Sequence, residues 1–185
     1  MELALQPILA QLYTNTELRS RFFTNPEAVG AELGLNKTQI QQLSQLPSTA
    51  VNLFATSLKR KRLGEIRELL PMTAKALDKE FAKLFWQYAE TYLPQGIKKH
   101  LDDAKSFASY IEKVGNIKPD WILDLVRYEK AWLEAAEPNT RLLVRRFRYA
   151  VNQSEGNLQQ PFVAIWFRLS HQGKLKCIVV RSHLF

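Results

Sequence analysis

The chain has 185 residues, 46% of them hydrophobic and 24% charged, with 7 glycines and 8 prolines. That length suits one compact domain or two small ones, and a folded chain of this size removes about 70% of its unfolded surface from water, so neither disulfide nor metal is needed for stability. The low glycine and proline content excludes a linker, a collagenous repeat or a low-complexity chain, and the single Cys177 excludes an internal disulfide and a multi-cysteine zinc site.

The start, MELALQPILAQLY, has no basic n-region and no small-residue cleavage site, and no window approaches 18 uninterrupted apolar residues. These features predict a cytoplasmic protein with no membrane partner. The net charge of +8 is unevenly placed: residues 1–137 are close to balanced, whereas residues 138–185 hold eight Lys and Arg against Glu155 alone. Such an excess suits an acidic partner for the C-terminal part.

Leu5, Ile8, Leu9 and Leu12 repeat at helical spacing, and Thr14 followed by Glu17 reads as a capping box for a second helix carrying Leu18 and Phe22. Asn25 with Pro26 starts a third helix, which Gly34 ends. Asn36 with Gln39 starts a fourth, stopped by Pro47, and Ser48 opens a fifth carrying Leu53, Phe54 and Leu58. Leu77, Phe81, Leu84, Phe85, Tyr88 and Tyr92 predict a core helix ended by Pro94 and Gly96. Ala104, Phe107, Ala108 and Ile111 mark a shorter one. Pro119 to Ala136 places Ile122, Leu125, Val126, Trp132 and Leu133 on one stripe, with Glu129 inside it.

After Pro138 the period becomes two. Phe162 to Leu169 and Leu175 to Val180 flank a turn at Ser170 to Gly173, and the aromatic and β-branched content of Leu142 to Val151 adds a third strand. The expected fold is therefore α+β: an N-terminal all-helical bundle, residues 1–137, then a small antiparallel β-meander, residues 138–185.

Catalytic chemistry finds no support. His100, His171 and His183 are isolated, Cys177 lies in a strand, Asp102 and Asp103 point apart on a helix, and no glycine-rich phosphate loop exists. No cofactor or metal is expected. Glu129 must be paired or neutralised, and a cation such as Arg67 or Arg127 is the expected partner. The segment around Gly30 and Gly34 has helix-turn-helix spacing, so Lys37, Gln39, Gln41, Gln42 and Gln45 could reach base edges, with the basic run Lys59, Arg60, Lys61 and Arg62 on phosphates. Against this, residues 1–47 carry a net charge of −1, which suits a plain helical hairpin better.

The ordered segments Leu70-Pro71, Ala76-Leu77 with Phe81, Tyr88, Pro94, Asp102 to Phe107 and Trp121 to Trp132, most specifically Asp124-Leu-Val-Arg-Tyr-Glu129, resemble a bacterial family labelled as a DNA-binding domain. Some of its members are accessory partner proteins of multinuclear iron enzymes that modify ribosomal peptides, in bufferin-like and methanobactin-like systems. The resemblance covers about residues 3–136 and implies a helical N-terminal domain with a smaller β-containing C-terminal one.

These readings converge on a non-enzymatic binding or adaptor protein for a peptide or protein partner. Arg145, Arg146, Arg148, Arg168, Lys174, Lys176 and Arg181 would form a cationic face on a sheet whose open edges accept an extended acidic segment. The alternative is a DNA-binding transcriptional regulator.

Overall fold

The computed structural model describes residues 5–94, 99–153, 158–170 and 173–181. The expected helix stop at Gly96, the lone acid Glu155 and the histidines His171 and His183 lie outside them. The fold is α+β, with nine helices among the described residues followed by a three-stranded antiparallel sheet. The chain divides into two compact units, residues 1–62 with 89–93 and residues 63–88 with 94–185.

In the first unit, α1 (Leu5–Thr14), α2 (Thr16–Thr24), α3 (Pro26–Glu32) and α4 (Lys37–Ser44) are set by local caps. Asn15 caps α2 by accepting from the Leu18 amide at 2.9 Å, whereas the hydroxyl of Thr14, the expected cap, donates back to the Ala10 carbonyl at 2.7 Å. The correction is one residue, and its reason is that an asparagine oxygen reaches the orphan amide from an extended backbone. Asn25 with Pro26 caps α3, Gly34 stands at φ 71°, and Asn36 and Gln39 close both halves of a capping box. Ile8, Leu12, Phe22, Val29, Leu35, Ile40 and Leu43 form the buried cluster between these helices. A Cβ at Gly30 would lie 2.5 Å from Ile40 Cγ1, so the glycine is required for the close approach of α3 and α4.

The fifth helix, α5 (Ser48–Leu69), forms where the sequence places it. Val51, Ala55 and Lys59 are buried, while Leu53 and Phe54 are exposed. Phe54 packs its ring on Tyr13 at 4.5 Å.

In the second unit, the long aromatic helix expected across Leu77 to Tyr92 is two. Helix α6 (Pro71–Leu77) ends at Asp78, whose φ of 46° breaks the helical path, and α7 (Lys79–Thr91) follows. Leu77 remains buried, so the apolar spacing survives the break. Phe81, Phe85 and Tyr88 meet Phe107 of α8 (Lys99–Val114) at 5.2, 5.7 and 5.3 Å between ring centres. Gly115, at φ 68°, ends α8.

Helix α9 (Trp121–Ala136) and the strands β1 (Leu142–Phe147), β2 (Phe162–Phe167) and β3 (Lys176–Arg181) share one core. Leu125, Tyr128, Ala131 and Ala135 of α9 pack with Phe147, Phe162, Ala164 and Trp166. The change at Pro138 is thus one of secondary structure within a packed unit, because a three-stranded sheet of this size buries its apolar face on a helix. Trp132, expected in the core, is 37% exposed and meets Trp166 edge-on at the rim.

Candidate functional site

Among the described residues the strand order is β1-β2-β3, so β1 and β3 are both edges. The register places Val144 opposite Ile165 and Ile165 opposite Ile178. Alternation then assigns Leu143, Arg145, Phe147, Phe162, Ala164, Trp166, Cys177, Val179 and Arg181 to the face on α9. The outer face carries Leu142, Val144, Val163, Ile165, Phe167, Ile178 and Val180, with Arg146 and Lys176 at diagonally opposite corners. Leu142, Val144, Ile178 and Val180 are exposed by 63, 47, 50 and 51%, so this side of the sheet presents an apolar patch to solvent.

The single cationic face expected from the sequence does not form. Arg145 points to the inner side, where Nη2 meets Glu134 at 3.0 Å and Nη1 donates to the Val144 carbonyl at 3.1 Å. Arg168 lies beyond the end of β2 and donates to the carbonyls of Ala135, Ala136, Glu137 and Thr140 at 2.8 to 3.0 Å, which satisfies the C-terminus of α9. Arg148, Lys174 and Lys176 are exposed, and Arg181 borders a cavity of about 260 Å³ with Asn152, Gln153, Gln159 and Gln160. Alternation sends adjacent cations to opposite sides of the sheet, and that is the physical reason for the dispersal.

The edges have a definite polarity. The Arg168 amide donates to the Arg141 carbonyl at 3.0 Å, which marks this as a hydrogen-bonded pair. Counting along the ladder, Leu143, Arg145 and Phe147 bond to β2, and the backbone groups of Leu142, Val144 and Arg146 face the free edge of β1. The same count turns Cys177, Val179 and Arg181 toward the free edge of β3.

Two carboxylates of the Asp124 to Glu129 block position this region. Asp124, 2% exposed, accepts from the amides of Arg148 at 2.6 Å and Tyr149 at 3.2 Å, and so holds the chain as it leaves β1. Glu129 is buried as expected, but its partners are not a cation. Its two oxygens accept from the amides of Met72 at 2.9 Å and Thr73 at 2.7 Å. Helix α6 has no side-chain cap of its own, and a carboxylate from α9 fills that role because the first amides of a helix carry positive partial charge. Burial pushes the Glu129 carboxyl above the ordinary value, with the two amides pulling the other way. The sequence names Asp124 only as the first residue of that block and gives it no role. Its signal is that Tyr128, Ala131 and Ala135, at helical spacings from it, form a second buried stripe on α9.

The alternative nucleic-acid residues are also placed. Lys37, Gln41 and Gln42 are exposed on α4, while Gln39 is buried in the capping box. Lys59 is 8% exposed and bonds Glu90 and Thr16, and Arg62 donates to the Tyr92 carbonyl at 3.1 Å. Arg60 and Lys61 are the exposed members of that run. The Lys59 ammonium holds the Glu90 carboxyl below its ordinary value, with burial opposing and Thr16 assisting. Glu65 meets His100 Nδ1 at 2.7 Å. Among the described residues no helix is long and apolar enough to cross a membrane, and no three of the His, Cys, Asp and Glu side chains gather as a metal site would need.

Residues 46–113 match the family described as SCO6045-like, C-terminal domain. The match spans about a third of the chain and stops short of α9 and the sheet. No curated protein and no solved structure matches the chain.

Proposed function

We propose that this protein is a non-catalytic binding module that takes an extended segment of a protein partner as an added strand of its C-terminal sheet. The observation that carries this reading is a sheet with two edge strands whose outer face leaves Leu142, Val144, Ile178 and Val180 exposed. Edge amides and carbonyls supply affinity for any extended chain, and an apolar face beside them supplies burial for every second side chain. Five cations on or around the sheet, Arg146, Arg148, Lys174, Lys176 and Arg181, favour an acidic segment. The sequence resemblance to a family some of whose members partner peptide-modifying enzymes is in keeping with a peptide as the ligand class. The DNA reading has less behind it, since Lys59 and Arg62 already serve contacts within the protein.

Selection from a random decapeptide library on immobilised protein tests the reading. Recovered peptides should lose binding to a double variant, Val144→Pro and Val179→Pro, because both prolines remove only edge-facing amides and leave the ladder intact. Capture of the same peptides by a folded double variant would end the proposal. Tight duplex binding that weakens steeply with salt would move the protein to the DNA class.

A further inference from the structure

The cavity of about 260 Å³ beside Arg181 lies at the end of the sheet where β1 and β3 finish and β2 starts. Its floor is apolar: Ala150 and Phe162 are buried and Pro161 is half-buried. Arg181 stands across the register from Phe162, and Asn152, Gln153, Gln159 and Gln160 complete the lining. One guanidinium and four carboxamides therefore surround the cavity, with no carboxylate among the lining residues. Arg145 and Arg168 are engaged by Glu134 and by the end of α9. Arg181, in contrast, makes no hydrogen bond or ion pair through its side chain with a described residue, and the same holds for the four carboxamides. All five polar groups keep their hydrogen-bonding capacity for something outside the fold.

We propose that this cavity takes the C-terminal end of a peptide chain, with the terminal carboxylate on Arg181. The site is separate from the sheet edges and does not need strand addition. A lone guanidinium in an acid-free lining suits one negative charge, and its planar fork matches a carboxylate with two parallel hydrogen bonds. Carboxamides carry both donor and acceptor, so they match the amide N–H and C=O that immediately precede a terminal carboxylate, groups that a bare anion lacks. The volume is below the roughly 300 Å³ at which sites for drug-sized molecules start, so it suits one terminal residue rather than a continuing chain. The floor of Ala150, Pro161 and Phe162 gives an apolar last side chain a surface to bury.

The test is affinity selection on the full chain from tetrapeptides randomised at their last two positions, prepared as free acids and as C-terminal amides. Only free acids should be recovered, with apolar last residues. The best of them, labelled at its N-terminus and titrated by anisotropy, should bind at least about tenfold more tightly than its own amide, the scale of one charge-assisted hydrogen bond. Arg181→Gln should bring the free acid down to the level of the amide at an unchanged melting temperature, because this guanidinium holds no contact within the described fold. Lys174→Gln, outside the cavity lining, should change nothing. The double variant Val144→Pro and Val179→Pro should bind the free acid as wild type does, which keeps this result apart from that of strand addition. Recovery of acids and amides alike, recovery of neither, or equal losses with Arg181→Gln and Lys174→Gln overturns the site. Equal binding of an amidated peptide ending in Glu would reassign Arg181 to side-chain carboxylates, and equal binding of the free last amino acid would reassign the cavity to a small metabolite. Either result overturns the inference.

Discussion

The N-terminal helices and the α9–sheet region handle charge in opposite ways. In the first unit two cations turn inward: Arg19, 7% exposed, donates to Asn52 at 2.7 Å and to the Leu12 carbonyl at 2.8 Å, and Lys59 closes on Glu90. In the α9–sheet region buried carboxylates serve backbone amides, cations stand at rims and helix ends, and apolar side chains face water. The densest basic run is therefore partly structural, while the surface with room for a partner is recognised by exposed apolar area. Charge count identifies neither by itself, because an ion pair within the fold and a free cation contribute equally to the total.

The largest expected effect is loss of the core shared by α9 and the sheet. Trp166→Ala removes the largest fully buried side chain of that cluster and should lower stability by about 3 to 5 kcal/mol in urea unfolding. A change under about 1 kcal/mol would mean that the sheet folds without α9.

For the first unit, Gly30→Ala should cost about 1 to 3 kcal/mol by overpacking against Ile40, and Ile40→Val in the same chain should restore part of it. An unchanged urea midpoint for Gly30→Ala would show that α3 and α4 separate freely.

The two unusual carboxylates give opposite pH dependences. The folded-state pKa of Glu90 is lowered, so its contribution is present above the ordinary carboxylate value and is lost as pH falls through the folded value. That of Glu129 is raised, so stability from this site is greatest below the ordinary value and declines as pH rises through the folded one. Urea midpoints across about pH 3 to 7 should show wild type losing its advantage over Glu90→Gln toward acid and over Glu129→Gln toward neutrality. The Glu90 effect is the smaller, since its side chain is half exposed. Matching slopes for the two variants would refute the contrast.

The smallest expected effect on stability belongs to the outer face. Val144→Thr, at a half-exposed site, should shift stability by no more than about 0.5 kcal/mol while weakening capture of extended peptides. Undiminished capture would place the ligand away from that face.

Caps, periodicity and class were legible in the chain itself. Asn25 with Pro26, Gly34, and Asn36 with Gln39 act within one turn of their own backbone, and the alternation through Phe162 to Phe167 needs only its own spacing, so the order of helices and strands followed from local chemistry. The inward face of α5, the backbone partners of Glu129 and the ion pair of Arg145 were decided by tertiary structure. Each depends on a group far along the chain: Glu90 for Lys59, Met72 and Thr73 for Glu129, Glu134 for Arg145. A sequence states which side chains carry charge and how often apolar ones recur, whereas the partner of a charge and the coverage of an apolar face are set by what folding brings within a few ångströms.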